Sequence, residues 1–238
     1  MTQMTMYTRV AAVLLLPLFL TSCLLAPGKF TSDITIHADR TFSFAYKGEV
    51  LAIDPSESMS SDEPPGADAT AEEKAEAAQK AKDKVKKAKE REEKNRGIAA
   101  ALGKEAGYRS VVYKGNGLFV VDYAVRGLLT SNFIYPFNSD AEVMMPFIAV
   151  EVRKDGTVRM RAPAFGKAPA QGPSAASIPM GQDPSDKAEG VFTLTTDAEI
   201  VAQNQEEGAK TVGANKVITW TVGGMKKDAP TAVLRMKN

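Results

Sequence analysis

Cysteine and histidine are almost absent from this chain of 238 residues, which holds one of each, Cys23 and His37. A single cysteine excludes an internal disulfide and a thiolate metal cluster. A single histidine leaves a zinc site with little but carboxylates to draw on. No metal or other cofactor is expected. Neither sign of charge is in excess: 30 Lys and Arg face 29 Asp and Glu, for a formal net charge of +1. No segment reaches the concentrated basic stripe that nucleic-acid binding needs, so nucleic acid is not an expected partner. Long apolar runs are missing too. The one continuous apolar stretch, Val10 to Leu20, is about eleven residues, roughly half of what a bilayer-spanning helix requires.

That short stretch has another meaning. It follows one cation, Arg9, and is broken by Pro17, which removes a backbone donor and disfavours a continuous helix. The pattern reads as a signal-peptide leader over residues 1–22. It ends in Leu20-Thr21-Ser22-Cys23, which resembles the lipobox of bacterial lipoproteins. The resemblance implies cleavage before Cys23, a diacylglyceryl group on its sulfur, and further acylation (palmitate or a similar chain) of the new amino terminus. Two or more acyl chains give stable membrane attachment. Leu24 follows the cysteine where an Asp would imply inner-membrane retention. The resemblance therefore implies the outer membrane, facing the periplasm. Once acylated, Cys23 leaves no thiol for catalysis.

The remainder, 23–238, is long enough for one domain with a sizeable core. Phe30 to Ala38 reads as a strand, with Ile34 and Ile36 alternating against Thr35 and His37. After the polar turn Asp39-Arg40, Phe42, Phe44 and Tyr46 alternate with smaller residues, predicting an antiparallel partner strand. Residues 54–69 are rich in Ser, Pro and acids and read as a solvated loop. Their acids lack the alternating spacing of a calcium loop. Thr70-Ala71-Glu72-Glu73 is a capping box, opening a charged helix over 70–96. Gly97 is expected to interrupt that helix, Ile98 to resume it and Gly107 to end it. Its apolar stripe is thin and mostly alanine, so its first half is expected to stand in water, with Ile98 and Leu102 docking.

From Tyr108 the pattern is β, punctuated by turns at Gly115-Asn116-Gly117 and Lys154-Asp155-Gly156. Residues 163–189 contain five prolines and read as a flexible excursion. Strands are expected again at 191–195, 199–202, 216–222 (with Trp220) and 231–236. The fold class is α+β: a mainly antiparallel sheet with one long charged helical insertion.

Little of this carries chemistry. His37 lies on the polar face of its strand, and no serine sits in a Gly-x-Ser-x-Gly elbow or a Ser-x-x-Lys motif. Asp33, Asp122 and Asp197 are strand or turn acids, with Asp122 expected to pair with an arginine such as Arg126. Gly223-Gly224 is a turn without the residues of a phosphate loop. One stretch concentrates aromatic and soft side chains, some on a short strand expected at Phe133-Ile134-Tyr135 and others on loops beside the sheet. There Phe133, Tyr135, Phe137, Met144 and Met145 are the candidate ligand-binding residues. The alternative is that they cover one end of the core.

Phe30 to Val50, the Trp220 segment and Pro230 to Met236 resemble the LppM-type lipoprotein domain, with its early hairpin, helix and late Trp-containing strand. The charged helix and the Pro-rich loop depart from it. The resemblance implies an envelope lipoprotein that binds rather than catalyses. The expected function is therefore non-enzymatic: a membrane-anchored protein engaging a lipid, a glycan or an envelope protein partner through a sheet face or the aromatic loops. Two alternatives stand beside it, an interaction or assembly module acting through the helix, and a carboxylate-dependent hydrolase.

Overall fold

The computed structural model describes residues 24–53, 70–136, 146–166, 184–223 and 228–237. The expected solvated loop 54–69, the leader, Cys23 and most of the Pro-rich stretch lie outside them.

Two sheets are built on the alternation read from the sequence. The larger contains β1 (Leu24–Ile36), β2 (Thr41–Ile53), β3 (Tyr108–Gly115), β4 (Leu118–Leu128), β8 (Glu189–Thr196), β10 (Lys210–Val212) and β11 (Asn215–Val222), in the order β10-β11-β8-β1-β2-β4-β3. The smaller contains β5 (Phe133–Tyr135), β6 (Ile148–Val152), β7 (Thr157–Arg161), β9 (Glu199–Gln203) and β12 (Thr231–Arg235), in the order β5-β6-β7-β12-β9. All pairings are antiparallel except β1 with β8, which run parallel. The α+β class is as expected, with two sheets in place of one and an unforeseen parallel pair. Parallel pairing joins segments far apart in sequence and leaves no local turn signal.

The two sheets share one apolar core. Ile34, Phe44, Tyr46, Phe192, Leu194 and Ile218 from the larger sheet meet Tyr135, Ile148, Met160 and Leu234 from the smaller. Aromatic rings run through it in contact. Phe44 lies 5.0 Å from Tyr135, Tyr46 lies 5.6 Å from Phe147, and Phe165 lies 4.3 Å from Phe30 and 5.4 Å from Phe192. The hydroxyl of fully buried Tyr46 donates to the carbonyl of Glu49 at 2.6 Å. Among the described residues no buried side-chain polar atom lacks a partner, as a filled core demands.

β1 carries a bulge between Pro27 and Phe30. It fits because both flanking strands present glycine opposite Phe30, Gly48 on β2 and Gly190 on β8. A Cβ on Gly190 would stand 2.0 Å from the Phe30 carbonyl oxygen, and one on Gly48 2.4 Å from that of Lys29. The bulge also starts the strand earlier than expected: β1 begins at Leu24 rather than Phe30, and Leu24 already pairs with Ile53.

Helix α1 (Ala71–Leu102) is 32 residues long. Its capping box is formed as read: Thr70 Oγ1 accepts from the Glu73 N–H at 3.2 Å, and the Glu73 carboxylate accepts from the Thr70 N–H at 2.7 Å. The Thr70 N–H and hydroxyl, both donating to it, hold the Glu73 carboxyl below its usual pKa. The expected break at Gly97 is not there. A glycine inside a helix weakens it by about 1 kcal/mol relative to Ala, which docking of the flanking turns offsets. The helix stops at Leu102, before Gly107. Its buried residues are Asn95 and Ala99, with Ile98 and Leu102 half-buried beside them. The first half is exposed, as its alanine-rich stripe predicted.

The ends of the Pro-rich stretch are folded, contrary to the flexible excursion expected over 163–189. Pro163–Phe165 forms a 3-10 turn with Phe165 buried, Pro184–Lys187 forms another, and β8 has begun by Glu189. Phe165 is the one large aromatic near the start of that stretch, and burying it among Phe30, Phe147 and Phe192 fixes the local chain.

Candidate functional site

The register places every long connection at one end of the sandwich. At the end where β1 finishes, the links between strands are 37–40, 129–132, 153–156, 197–198 and 213–214, none longer than four residues, and the link into β3, 103–107, has five. They are tied to one another. The Ala38 N–H donates to Asp197 Oδ1 at 2.7 Å, Thr196 Oγ1 donates to the Ile36 carbonyl at 2.6 Å, and the Lys237 N–H donates to the Ala38 carbonyl at 3.0 Å. At the end where β1 starts lie the termini of β2, β5, β9 and β11 and the beginnings of β6, β8 and β12. Apart from the two-residue β3–β4 turn, the links there run over 54–70, 136–147, 162–188, 204–209 and 223–230.

A cleft of about 700 Å³ opens between the sheets at this second end, within the size range of small-molecule sites. Phe165, Ala188, Val222 and Trp220 form its apolar part, and Asp186, Glu206, Glu207 and Asp228 line it with carboxylates. Trp220 is 7% exposed and stacks on Phe192 at 5.6 Å. Asn204 fixes this wall: its Oδ1 accepts from Trp220 Nε1 at 3.2 Å and from the Thr231 N–H at 3.0 Å, while its Nδ2 donates to the Ala229 carbonyl at 2.8 Å. One side chain thus joins β11 of one sheet to the start of β12 in the other. An aromatic wall beside carboxylates suits a ligand with hydroxyl or cationic groups and an apolar face.

The candidate residues of the aromatic stretch are divided. Tyr135 is 3% exposed in the core, its hydroxyl pKa pushed well above the usual value by burial. Phe133 is half-buried, with its ring 5.1 Å from Phe42 and 5.3 Å from Phe44. Neither lines the cleft. Phe137, Met144 and Met145 lie outside the described residues, as does Cys23.

His37 sits at the short-turn end, with Nδ1 3.4 Å from Asp197 Oδ1. The Ala38 N–H, and then the imidazole, hold the Asp197 carboxyl below its usual pKa. Among the described residues no hydroxyl is hydrogen-bonded to that imidazole, and Asp197 braces the β1–β2 turn through the Ala38 N–H. Asp122 pairs with Arg109 at 3.7 Å, not with Arg126. Partial burial raises the pKa of Asp33 on the same sheet face, and Arg109 opposes the rise. Among the described residues no group of three or more His, Cys, Asp or Glu could hold a metal ion, and no helix is long and apolar enough to cross a membrane.

The cleft was not foreseen. Its walls come from β11, from the chain next to the ends of β8, β9 and β12, and from two 3-10 turns, and only Trp220 stood out in the sequence. The spacing of Asn204, Trp220 and Thr231 gives no periodic signal.

No protein-family model matches the chain, and no curated protein matches it. Among solved structures it is similar to the folded domain of the LppM protein of Mycobacterium tuberculosis, determined by NMR, at 16% identity over 93% of this chain and 95% of that one, with a TM-score of 0.35. It is also similar to an M1 zinc metallopeptidase from Deinococcus radiodurans, at 9% identity over 88% of this chain and 42% of that one, with a TM-score of 0.30.

Proposed function

We propose that the protein is a bacterial envelope lipoprotein, tethered through an acylated Cys23, that binds a lipid, glycan or envelope partner at its long-connection end and carries out no reaction. One observation supports this most: β1 begins at Leu24, the residue after Cys23, and is already paired there with Ile53. No spacer separates the tether from the sheet. The tethered end is also the end that carries the long connections and the cleft, and loops held on a rigid scaffold are where binding concentrates. In this reading the cleft faces the membrane that holds the protein, and its ligand comes from that surface. The leader and Leu24 favour an outer membrane, with the domain on its periplasmic side.

The test is the intact mass of protein purified from its native membranes, followed by analysis of whatever co-purifies. The expected mass is that of a chain starting at Cys23 with a diacylglyceryl group and a further acyl chain. A bound lipid or glycan is expected to be lost when Glu206 and Asp228, at the cleft, are changed to lysine. A free thiol, or an amino terminus upstream of Cys23, sinks the tether. Unchanged ligand content in the Glu206→Lys, Asp228→Lys protein removes the cleft.

A further inference from the structure

The second half of α1 is fastened to the β3–β4 hairpin at its tip. Glu92 Oε1 accepts from the Asn116 N–H at 2.9 Å and from the Tyr113 hydroxyl at 2.8 Å. Tyr113 in turn accepts from the Gly117 N–H at 3.0 Å and from Asn95 Nδ2 at 3.3 Å. Beyond Asn95 the helix runs back along β3, with Ala99 buried in the core. The hairpin tip lies at the tethered end, since the Gly117 carbonyl accepts from the Ala52 N–H at 2.8 Å and Ala52 neighbours the Leu24–Ile53 pair. Everything before Glu92 therefore projects past that end. At 1.5 Å per residue the projection is about 30 Å.

Its composition is uneven. Residues 80–89 hold six lysines against one aspartate, a local basic density that the near-neutral balance of the whole chain hides and that the expectation of no basic stripe passed over. All six lysines are exposed. Lys80, Lys84 and Lys87, followed by Arg91, fall at i, i+4, i+7 and i+11, on one side of the helix. On the helical wheel that side lies close to the one that Asn95, Ile98 and Leu102 turn to the sheets further along. The stripe thus continues the docked face out beneath the sandwich. The rod is also stiff: its start is capped, and its far half is locked to β3.

We infer that residues 80–89 of α1 reach the membrane surface and bind its anionic lipid headgroups, setting how the domain sits there. This takes the Cys23 tether from the proposed function. A charged rod that starts beside the tether and points past it cannot enter the hydrocarbon. With its base held at the surface the rod tilts to stay among the headgroups, and it carries lysines on both sides: Lys80, Lys84 and Lys87 toward the tether, Lys82, Lys86 and Lys89 away from it. Each lysine near an anionic surface adds about fivefold to apparent affinity. The effect weakens with salt because the Debye length shortens.

The test uses the chain from residue 23 with Cys23→Ser, which keeps every described element and removes the acyl group. Its co-sedimentation is measured with vesicles of phosphatidylcholine alone and with phosphatidylcholine mixed with phosphatidylglycerol. Binding to the mixed vesicles only, reversed by salt, is expected. Changing Lys80, Lys82, Lys84, Lys86, Lys87 and Lys89 to glutamine, which preserves helix propensity, is expected to lower it by about tenfold or more, with an unchanged circular dichroism spectrum. Equal binding to both vesicle types, or undiminished binding by the glutamine variant, overturns the inference. So does vesicle-independent dimerisation lost in that variant, which would make the occupant a second copy of the chain. Because the assay omits the acyl group, its outcome is separate from the mass measurement that tests the tether.

Discussion

The two ends of the sandwich solve the same problem, returning a strand, in opposite ways. Where β1 finishes, the links are short and braced: Arg40 takes a positive φ of 70° in one turn and Gly156 one of 79° in another, and Asp155 Oδ1 accepts from the Thr157 N–H at 3.0 Å. Side chains there serve the backbone. Thr196 and Asp197, side by side at the β8–β9 corner, are both spent on the β1–β2 turn. Where β1 starts, the links are long and the strand ends flare into a cleft with carboxylates and a tryptophan. One end is a clamp and the other a platform. The acid Asp197 at the clamp braces a turn, while the acids Asp186, Glu206, Glu207 and Asp228 at the platform line a ligand-sized space.

The comparison can be broken at three places. The largest effect is expected at Phe147, fully buried against Tyr46, Tyr135 and Phe165. Phe147→Ala should destabilise the fold by about 3–5 kcal/mol, read as a shift in the denaturant midpoint. Hydrogen exchange should rise at both ends together. Loss of protection at the platform alone would mean that the two ends are separate cooperative units. A smaller loss, about 1–3 kcal/mol, is expected for Gly190→Ala, because the new methyl meets the Phe30 backbone. Here exchange should rise first around the β1 bulge and the cleft, leaving the 37–40 and 197–198 turns protected.

The smallest effect is at the clamp and depends on pH. The Asp197 carboxyl has its pKa lowered from 3.8 in the folded state. It therefore stabilises the fold above its unfolded value, and that contribution fades as pH falls through the lower, folded one. Thermal unfolding of Asp197→Asn should thus start from a lower melting temperature at neutral pH and fall less steeply on acidification below about pH 4. An acid limb identical to that of the parent protein would remove Asp197 from the brace.

The sequence made visible what is local. Period-two alternation located β2, β4 and β11, the capping box located the start of α1, and Asp-Gly and Asn-Gly steps located two turns. It also announced that the first half of the helix would be solvated, because alanine offers little area to bury. What it hid is non-local. The continuity of α1 through Gly97 depends on Glu92 and Asn95 finding the β3–β4 hairpin. The early start of β1 depends on two glycines, Gly48 and Gly190, far apart in the chain. The cleft depends on Asn204 reaching across from one sheet to the other. Tyr135 read as a candidate binding residue at the end of a short strand, because Tyr135-Pro136-Phe137 is not strand-like, and its burial is settled by rings from β2 and β4 and by Phe147.

The parallel pairing of β1 with β8 also sets an order of events. The first described strand lies between β2 and β8, and the second of those neighbours is encoded some 160 residues later, as Thr35 against Thr195. The last described backbone bond, from Lys237 to Ala38, closes the same corner. Contacts of such long sequence separation form slowly. A nascent chain without its final third lacks β8, β10 and β11, so one edge of β1 stays unpaired and the larger sheet stays incomplete until synthesis is almost finished.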